Sequence, residues 1–246
     1  MDKKIIQKNT HKQYKALNFL SMLYITIALI ANLLIYKLTH VGNIVISVGT
    51  FIIPFWYILG DIIAEVYGYQ TARRLIWHAL ICTFIFTVVC NFFIHLPNPS
   101  ALKSHQPEFD YVFGNLIRVF FGMLLAVLVG SFLNAYILTK WKVLVLGKLY
   151  WLRSVSSSAI GQLCFTCISI SFDLFHVVPL HVLIELIAVS YTIKLIVTPI
   201  AVTPATLIAF YLKRLEGIDI YDTYTDFNPF RLQVCNNAEE NLFAAK

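Results

Sequence analysis

The sequence predicts an all-α, polytopic integral membrane protein with six transmembrane helices and both termini in the cytoplasm. Three observations predict it: 59% apolar residues against 13% charged, apolar windows of spanning length, and Lys and Arg gathered into alternate connecting segments. Soluble domains run at about 45–50% apolar and about 25% charged, so an ordinary globular domain is excluded. The formal charge of +6 does not indicate nucleic acid. No basic stripe interleaved with aromatics and no zinc-finger or RNA-binding signature accompanies it.

About 20 apolar residues cross the roughly 30 Å hydrocarbon core. Windows of that kind fall at residues 17–36, 44–63, 75–94, 112–138, 155–175 and 182–212. The first is followed by no small-residue cleavage site, so it reads as a retained span rather than a signal peptide. Residues 64–74 read as a short loop between the second and third spans. Residues 95–111 hold Pro97, Pro99 and Pro107 and read as an irregular external lid. The fourth span carries Arg118, Gly122, Ala126, Gly130 and Asn134 at four-residue intervals, a spacing that lets helix backbones approach. The last window is long enough to tilt or kink. The resulting organisation is a basic N-terminal segment (1–16), a transmembrane domain (17–212) and a partly ordered tail (213–246).

The positive-inside rule sets the orientation. One side holds Lys3, Lys4, Lys8, Lys12 and Lys15, then Arg73 and Arg74, then Lys140, Lys142, Lys148 and Arg153, and finally Lys213, Arg214, Arg231 and Lys246. The other side holds only Lys37 and Lys103, while Arg118 and Lys194 fall within spans. The N- and C-termini are therefore expected inside.

The densest chemistry is GDIIAEVYGYQTARR at residues 60–74. Asp61 and Glu65 lie four residues apart, on one face of a continuing helix. A charge at membrane depth costs roughly 3 kcal/mol on insertion scales, so these groups are candidates for function. Pro54, beside Trp56 and Tyr57, and Pro199, after Tyr191 and Lys194, are candidate breaks of the kind that build transporter sites. Ordinary membrane-helix proline is the plainer reading. At about 1.5 Å per residue, Asp61 and Lys194 lie roughly 26 Å and 18 Å from the outer ends of their spans. Asp61–Lys194 and Arg118–Glu185 are the expected neutralising pairs. Asn32 and Gln162 are intramembrane amides, either interhelical glue or ligand contacts. Cys164 and Cys167 match C-x-x-C but sit inside a span, Cys235 lies in the tail, and the histidines (His95, His176 and His181 at external turns) show no metal-ligand spacing. No metal and no cofactor is expected.

Several residues together resemble the queuosine precursor transporters, also called the vitamin uptake transporter family. The likeness rests chiefly on Asp61, Glu65-Val-Tyr-Gly68 and Ala72-Arg73-Arg74. It extends to Tyr14-Lys-Ala-Leu17, Asn32, Phe51, Pro54-Phe55, Arg118, Trp151-Leu-Arg153, Ser157, Gly161, Tyr191 and Lys194, covering about residues 12–215. It implies uptake of a 7-deazaguanine, a prequeuosine base or queuine, across the bacterial inner membrane to feed tRNA modification. It implies a substrate site drawn from Asp61, Glu65, Trp56, Tyr57, Asn32, Arg118, Gln162, Tyr191 and Lys194, with Pro54, Arg73, Arg74 and Pro199 in gating or topology. One departure stands out: Gln162 and Phe165 occupy places where the family commonly carries acids.

The expected partners are a small-molecule substrate and membrane lipid, with no nucleic acid and with self-association left open. An intramembrane aspartyl protease needs a second aspartate, and the only other candidate, Asp173, lies at an external end. No H-E-x-x-H, G-x-S-x-G or Walker A sequence occurs, so no enzyme is expected. A non-catalytic membrane subunit and a carrier of another small heterocycle are the alternatives.

Overall fold

Helix α1 (Leu17–Leu34) buries Leu20, Tyr24, Ala28 and Asn32, a single stripe at four-residue spacing that faces the bundle. A short antiparallel hairpin follows, β1 (Leu38–Val41) on β2 (Ile44–Ser47). The computed structural model describes residues 14–35, 37–41, 44–96, 106–174, 178–223 and 225–231. Expectations for Lys3 to Lys12, Pro97, Pro99, Lys103, His176, Cys235 and Lys246 lie outside the described residues.

Residues 44–47, expected to open the second span, are strand, and helix begins only at Gly49. Helix α2 (Gly49–Ile94) then joins the second and third windows, interrupted solely at Gly68, with φ 80° and ψ 169°. Trp56 and Gly60 before the break line the same cavity as Ala72 and Ile76 after it. A straight helix would hold Gly60 and Ile76 about 24 Å apart, so the chain folds back on itself at Gly68. The expected loop at 64–74 is thus a reversal of one residue. Arg73 and Arg74 sit on the returning helix.

Only glycine adopts φ 80° without strain, and a Cβ here would meet Ile220 Cγ2 at 2.9 Å. Gly68→Ala is expected to lower stability by about 1–3 kcal/mol. Thermal unfolding of the detergent-purified protein measures this, and an unshifted melt would show that the reversal does not need glycine.

Helix α3 (Gln106–Phe113) replaces part of the expected irregular lid. Helices α4 (Leu116–Leu144), α5 (Tyr150–Leu174) and α6 (Leu180–Glu216) complete the bundle. Helices α1, α2, α4, α5 and α6 are long and apolar enough to cross a membrane. Pro54, Pro199 and Pro204 lie inside helices that stay helical through them, so the expected proline breaks do not occur.

Helices α4 and α5 cross at Gly130 and Gly161. A Cβ on either would stand 2.6 or 2.7 Å from the other's carbonyl oxygen, and this contact explains the small-residue stripe in α4. The bundle has an apolar core threaded by a line of buried polar groups, and its outer surface is apolar. Asp61, Glu65, Asn134, Ser154, Gln162 and Lys194 are buried, while Phe92, Phe121, Ile196, Ile200 and Leu207 are exposed. So many large apolar side chains left exposed fit a lipid-facing surface.

The starts of α1 and α5, the reversal at Gly68 and the ends of α4 and α6 gather at one end. There the Glu216 carboxylate accepts from Lys15 N (3.1 Å), Ala16 N (2.7 Å) and the Tyr67 hydroxyl (3.1 Å), filling orphan donors at the α1 N-terminus. The described part of the tail, residues 217–223 and 225–231, packs back on the bundle. It lies against α2 through Tyr69, Arg73 and Trp77, which bond to Asp222, Asn228 and Pro229 respectively.

Candidate functional site

Tyr57, Asp61 and Glu65 recur every four residues on α2, so one face of that helix presents all three to α4 and α5. Asp61 is fully buried. Its Oδ1 accepts from Asn134 Nδ2 of α4 at 2.6 Å. Its Oδ2 accepts from the hydroxyls of Ser154 (2.5 Å) and Ser158 (3.0 Å) of α5. Hydrogen bonds to a charged group are worth about 1.5–3 kcal/mol each, so neutral donors do what a counter-ion was expected to do. The expected Asp61–Lys194 pair does not form: Lys194 Nζ instead donates to Thr166 Oγ1 at 2.7 Å.

Beside Asp61 lies a cavity lined by Tyr24, Trp56, Tyr57, Gly60, Ser131 and Asn134, closed by the returning half of α2. Its wall is aromatic: Trp56 is 5.3 Å from the Tyr24 ring and 6.0 Å edge-on to Tyr57. Two polar atoms of lining residues are buried without a hydrogen-bond partner, Trp56 Nε1 and Asn134 Oδ1. One is a donor and the other an acceptor. The space is narrow, about 20 Å³, room for a water molecule. Buried polar atoms are normally paired, so the orphan donor and acceptor among its lining residues are the candidate ligand contacts.

One helical turn beyond Asp61, Glu65 anchors an ion network. Arg153 grips it with two bonds, Nη1 to Oε2 at 2.9 Å and Nη2 to Oε1 at 3.2 Å. Lys213 Nζ reaches Oε1 at 2.6 Å. Lys142 Nζ stands 3.9 Å from the carboxylate and donates to the Glu65 carbonyl at 2.6 Å. Asp219 of the tail joins Lys142 (2.6 Å) and Lys213 (2.9 Å). Burial pushes the Asp219 carboxyl up, but Lys142 and then Lys213 outweigh it and hold it below the ordinary range. Arg153 also donates to Lys148 O (2.9 Å) and Gly147 O (3.2 Å). It thereby secures the α4–α5 turn, where Leu146 and Leu149 take positive φ. Four helices thus meet at the Glu65 carboxylate, and the tail joins them through Lys142 and Lys213.

The remaining expected residues are dispersed. Gln162 pairs with Thr198 (3.2 Å) on the α5–α6 face, and Tyr191 donates to Ala159 O at 3.2 Å on the same face. Phe165 stands between this cluster and the cavity, 6.3 Å from Trp56 and 5.4 Å from Lys194 Nζ. Asn32 is buried with both amide atoms unpartnered. Arg118 is exposed, forms no ion pair with Glu185 among the described residues, and acts electrostatically on Asp173 instead. Pro54 is buried and Pro199 half-buried. Arg73 is buried, donating to Asp226 O (3.0 Å) and Asn228 O (2.7 Å), whereas Arg74 is half-buried.

Sequence reasoning missed Ser154, Ser158 and Tyr24. The four-residue spacing of the two serines was their only local signal. It read Lys142, Arg153 and Lys213 as orienting charges and did not single out Asp219.

The model of a family described as "Putative vitamin uptake transporter" matches residues 47–209. That stretch is more than half of the chain and contains the whole of α2, α4 and α5. The chain belongs to this family. Members are membrane transporters by description, which accords with the long apolar helices. The chain is also similar to the "Probable queuosine precursor transporter" of Bacillus subtilis (strain 168), with 27% identity over 180 residues, covering 70% of this chain and 76% of that protein. No solved structure matches.

Proposed function

We propose that this transporter imports a queuosine precursor, a 7-deazaguanine base such as a prequeuosine base or queuine, across the bacterial inner membrane for tRNA modification. The observation that carries the reading is the aromatic cavity with one unpartnered donor, Trp56 Nε1, and one unpartnered acceptor, Asn134 Oδ1. A 7-deazaguanine is planar and offers both a carbonyl acceptor and N–H donors. The cavity has to widen from its present volume of about 20 Å³ to admit the base; the rings of Trp56, Tyr57 and Tyr24 then stack on or edge it. Trp56 Nε1–H donates to the carbonyl, and Asn134 Oδ1 accepts an N–H while its Nδ2 stays on Asp61. The name of the Bacillus subtilis relative supports the same ligand class.

Six crossings with both termini in the cytoplasm fit the bundle. The two halves of α2 then cross separately, and Arg73, Lys142, Arg153 and Lys213 collect at the end that the positive-inside rule places in the cytoplasm. The Glu65 network and the tail close that end, so inward opening requires them to part. Asp61 holds Asn134 in position, and Glu65 acts in the inner gate rather than on the ligand.

Expression in a strain unable to make the prequeuosine bases tests the assignment. Queuosine should reappear in its tRNA when a prequeuosine base is supplied outside. Absence of queuosine despite protein in the membrane would overturn it, and uptake of a different heterocycle would redirect it. Trp56→Phe keeps an aromatic ring but removes the donor, a bond worth about 1 kcal/mol. Its apparent affinity is expected to weaken roughly five- to tenfold with unchanged protein level, as read by uptake at graded substrate concentration.

A further inference from the structure

Lys142 and Lys194 are both buried lysines, 0% and 2% exposed, yet they are solvated in opposite ways. Lys142 Nζ has three acceptors at 2.6 Å, namely Glu65 O, Asp219 Oδ1 and Ile220 O. They match the three N–H bonds of a permanent ammonium. Among the described residues Lys194 Nζ has one hydrogen-bond acceptor, Thr166 Oγ1 at 2.7 Å. That hydroxyl spends its own proton on Gln162 O at 2.6 Å, which leaves a lone pair for the lysine.

The groups around Lys194 add no counter-charge. Thr198 Oγ1 donates to the Lys194 carbonyl at 2.7 Å, and the Gln162 amide is engaged with Thr198. From α5 it faces the Phe165 ring and the Cys167 thiol. Among the described residues no carboxylate of α2, α4, α5 or α6 lies within ion-pair distance of it; the ion pairs there are those of Glu65, Asp219 and Asp226. Among the described residues a permanent ammonium here would have one hydrogen-bond acceptor and the Phe165 ring face, leaving two N–H bonds without an acceptor at membrane depth, where charge is costly. A neutral amine has no such need. Lys194 lies about 21 Å along α6 from Leu180, far from the Glu65 network at the other end of the helix.

We propose that Lys194 carries the proton that couples transport to the proton gradient, an inference that rests on the transporter reading above. Its Nζ lone pair takes a proton from the outer aqueous side. The ammonium so formed is stabilised while substrate occupies the bundle. The proton leaves to the inner side as the substrate departs, and the neutral amine resets the cycle. One proton moves inward with one substrate, and no other group is oxidised, reduced or modified.

The test uses the purified full-length protein in liposomes with labelled 7-cyano-7-deazaguanine, a neutral base that carries no proton itself. The wild type should concentrate label when the interior is made alkaline, and substrate addition should alkalinise a weakly buffered exterior. Lys194→Gln and Lys194→Arg should lose concentrative uptake and proton movement. Both should keep exchange of labelled for unlabelled base, since arginine does not release its proton. Concentrative uptake by either variant would overturn the inference. So would loss of exchange together with uptake in both, which would make Lys194 a ligand contact. Wild-type exchange without response to the gradient and without alkalinisation would overturn it independently of whether the variants fold. Absence of exchange in the wild type would instead overturn the transporter reading for this base, and the coupling inference with it.

Discussion

Asp61→Asn is expected to abolish uptake while leaving a normal amount of protein in the membrane. The carboxylate is buried and accepts from Asn134, Ser154 and Ser158, so the substitution exchanges a charged acceptor for a neutral amide of the same shape. An asparagine keeps one acceptor oxygen and adds an N–H₂ that the serine hydroxyls can accept by rotating. The fold therefore loses only the difference between charged and neutral hydrogen bonds, about 1–2 kcal/mol. The site loses more. Asn134 Nδ2 then meets a neutral carbonyl in place of an anion, a weaker anchor, so its Oδ1 is held less firmly for the ligand.

Asp61→Ala provides the contrast. It orphans the three donors, each costing about 1–3 kcal/mol, and should reduce the protein as well as its activity. Uptake and membrane content measured side by side separate the two effects. Wild-type uptake by Asp61→Asn would remove the residue from the mechanism, and equal loss of protein in both variants would make its role structural.

The apolar segments were legible in the sequence because they rest on local composition, and so was Asp61 as a charge at membrane depth, which the structure buries among Asn134, Ser154 and Ser158. Helices α1, α4, α5 and α6 fall where hydropathy placed them, with ends displaced by a few residues. The reversal at Gly68 was not legible as such. A hydropathy window sees the charges at 61–74 as a loop and cannot see that a single positive-φ residue turns the chain while its flanks stay helical. At Pro54 and Pro199 the plainer reading holds, because a helix with packed neighbours runs through a proline that composition marks as a candidate break.

Charge pairing was the least legible part. Arg153 and Lys142 looked like orienting charges because their connecting segment is short and basic. They are buried because Glu65, distant in sequence, needs them. Depth arithmetic paired Asp61 with Lys194, but depth says nothing about azimuth, and the serines of α5 occupy the face that Asp61 meets. The Asp219 contact depends on the path of the tail, which no periodicity encodes.

That network leads to the largest stability effect. Glu65→Gln should sharply reduce the yield of folded protein, because it strips the buried carboxylate from Arg153, Lys213 and Lys142 at once. Removing one partner of a buried ion pair costs about 3–5 kcal/mol, mainly because a desolvated charge is left uncompensated. Asp219 continues to serve the two lysines, and Lys213 is partly exposed, so water screens some of the deficit. Among the described residues Arg153 has no second carboxylate. Its other acceptors are the carbonyls of Lys148, Gly147 and, at 3.4 Å, Leu138, which leaves it with the heaviest share.

The double variant Glu65→Gln with Arg153→Met should therefore recover part of what the single one loses, since it removes the orphaned charge along with its partner. Monodisperse yield and melting temperature in detergent measure both. A double variant worse than Glu65→Gln alone would mean that Arg153 stabilises the bundle mainly through the α4–α5 turn. A single variant with a wild-type melt would mean that the network contributes nothing to the fold. If inward opening breaks these contacts, variants that keep the charges but loosen the geometry, such as Glu65→Asp, should favour the open inner end. They are expected to show faster cysteine labelling at positions next to Glu65.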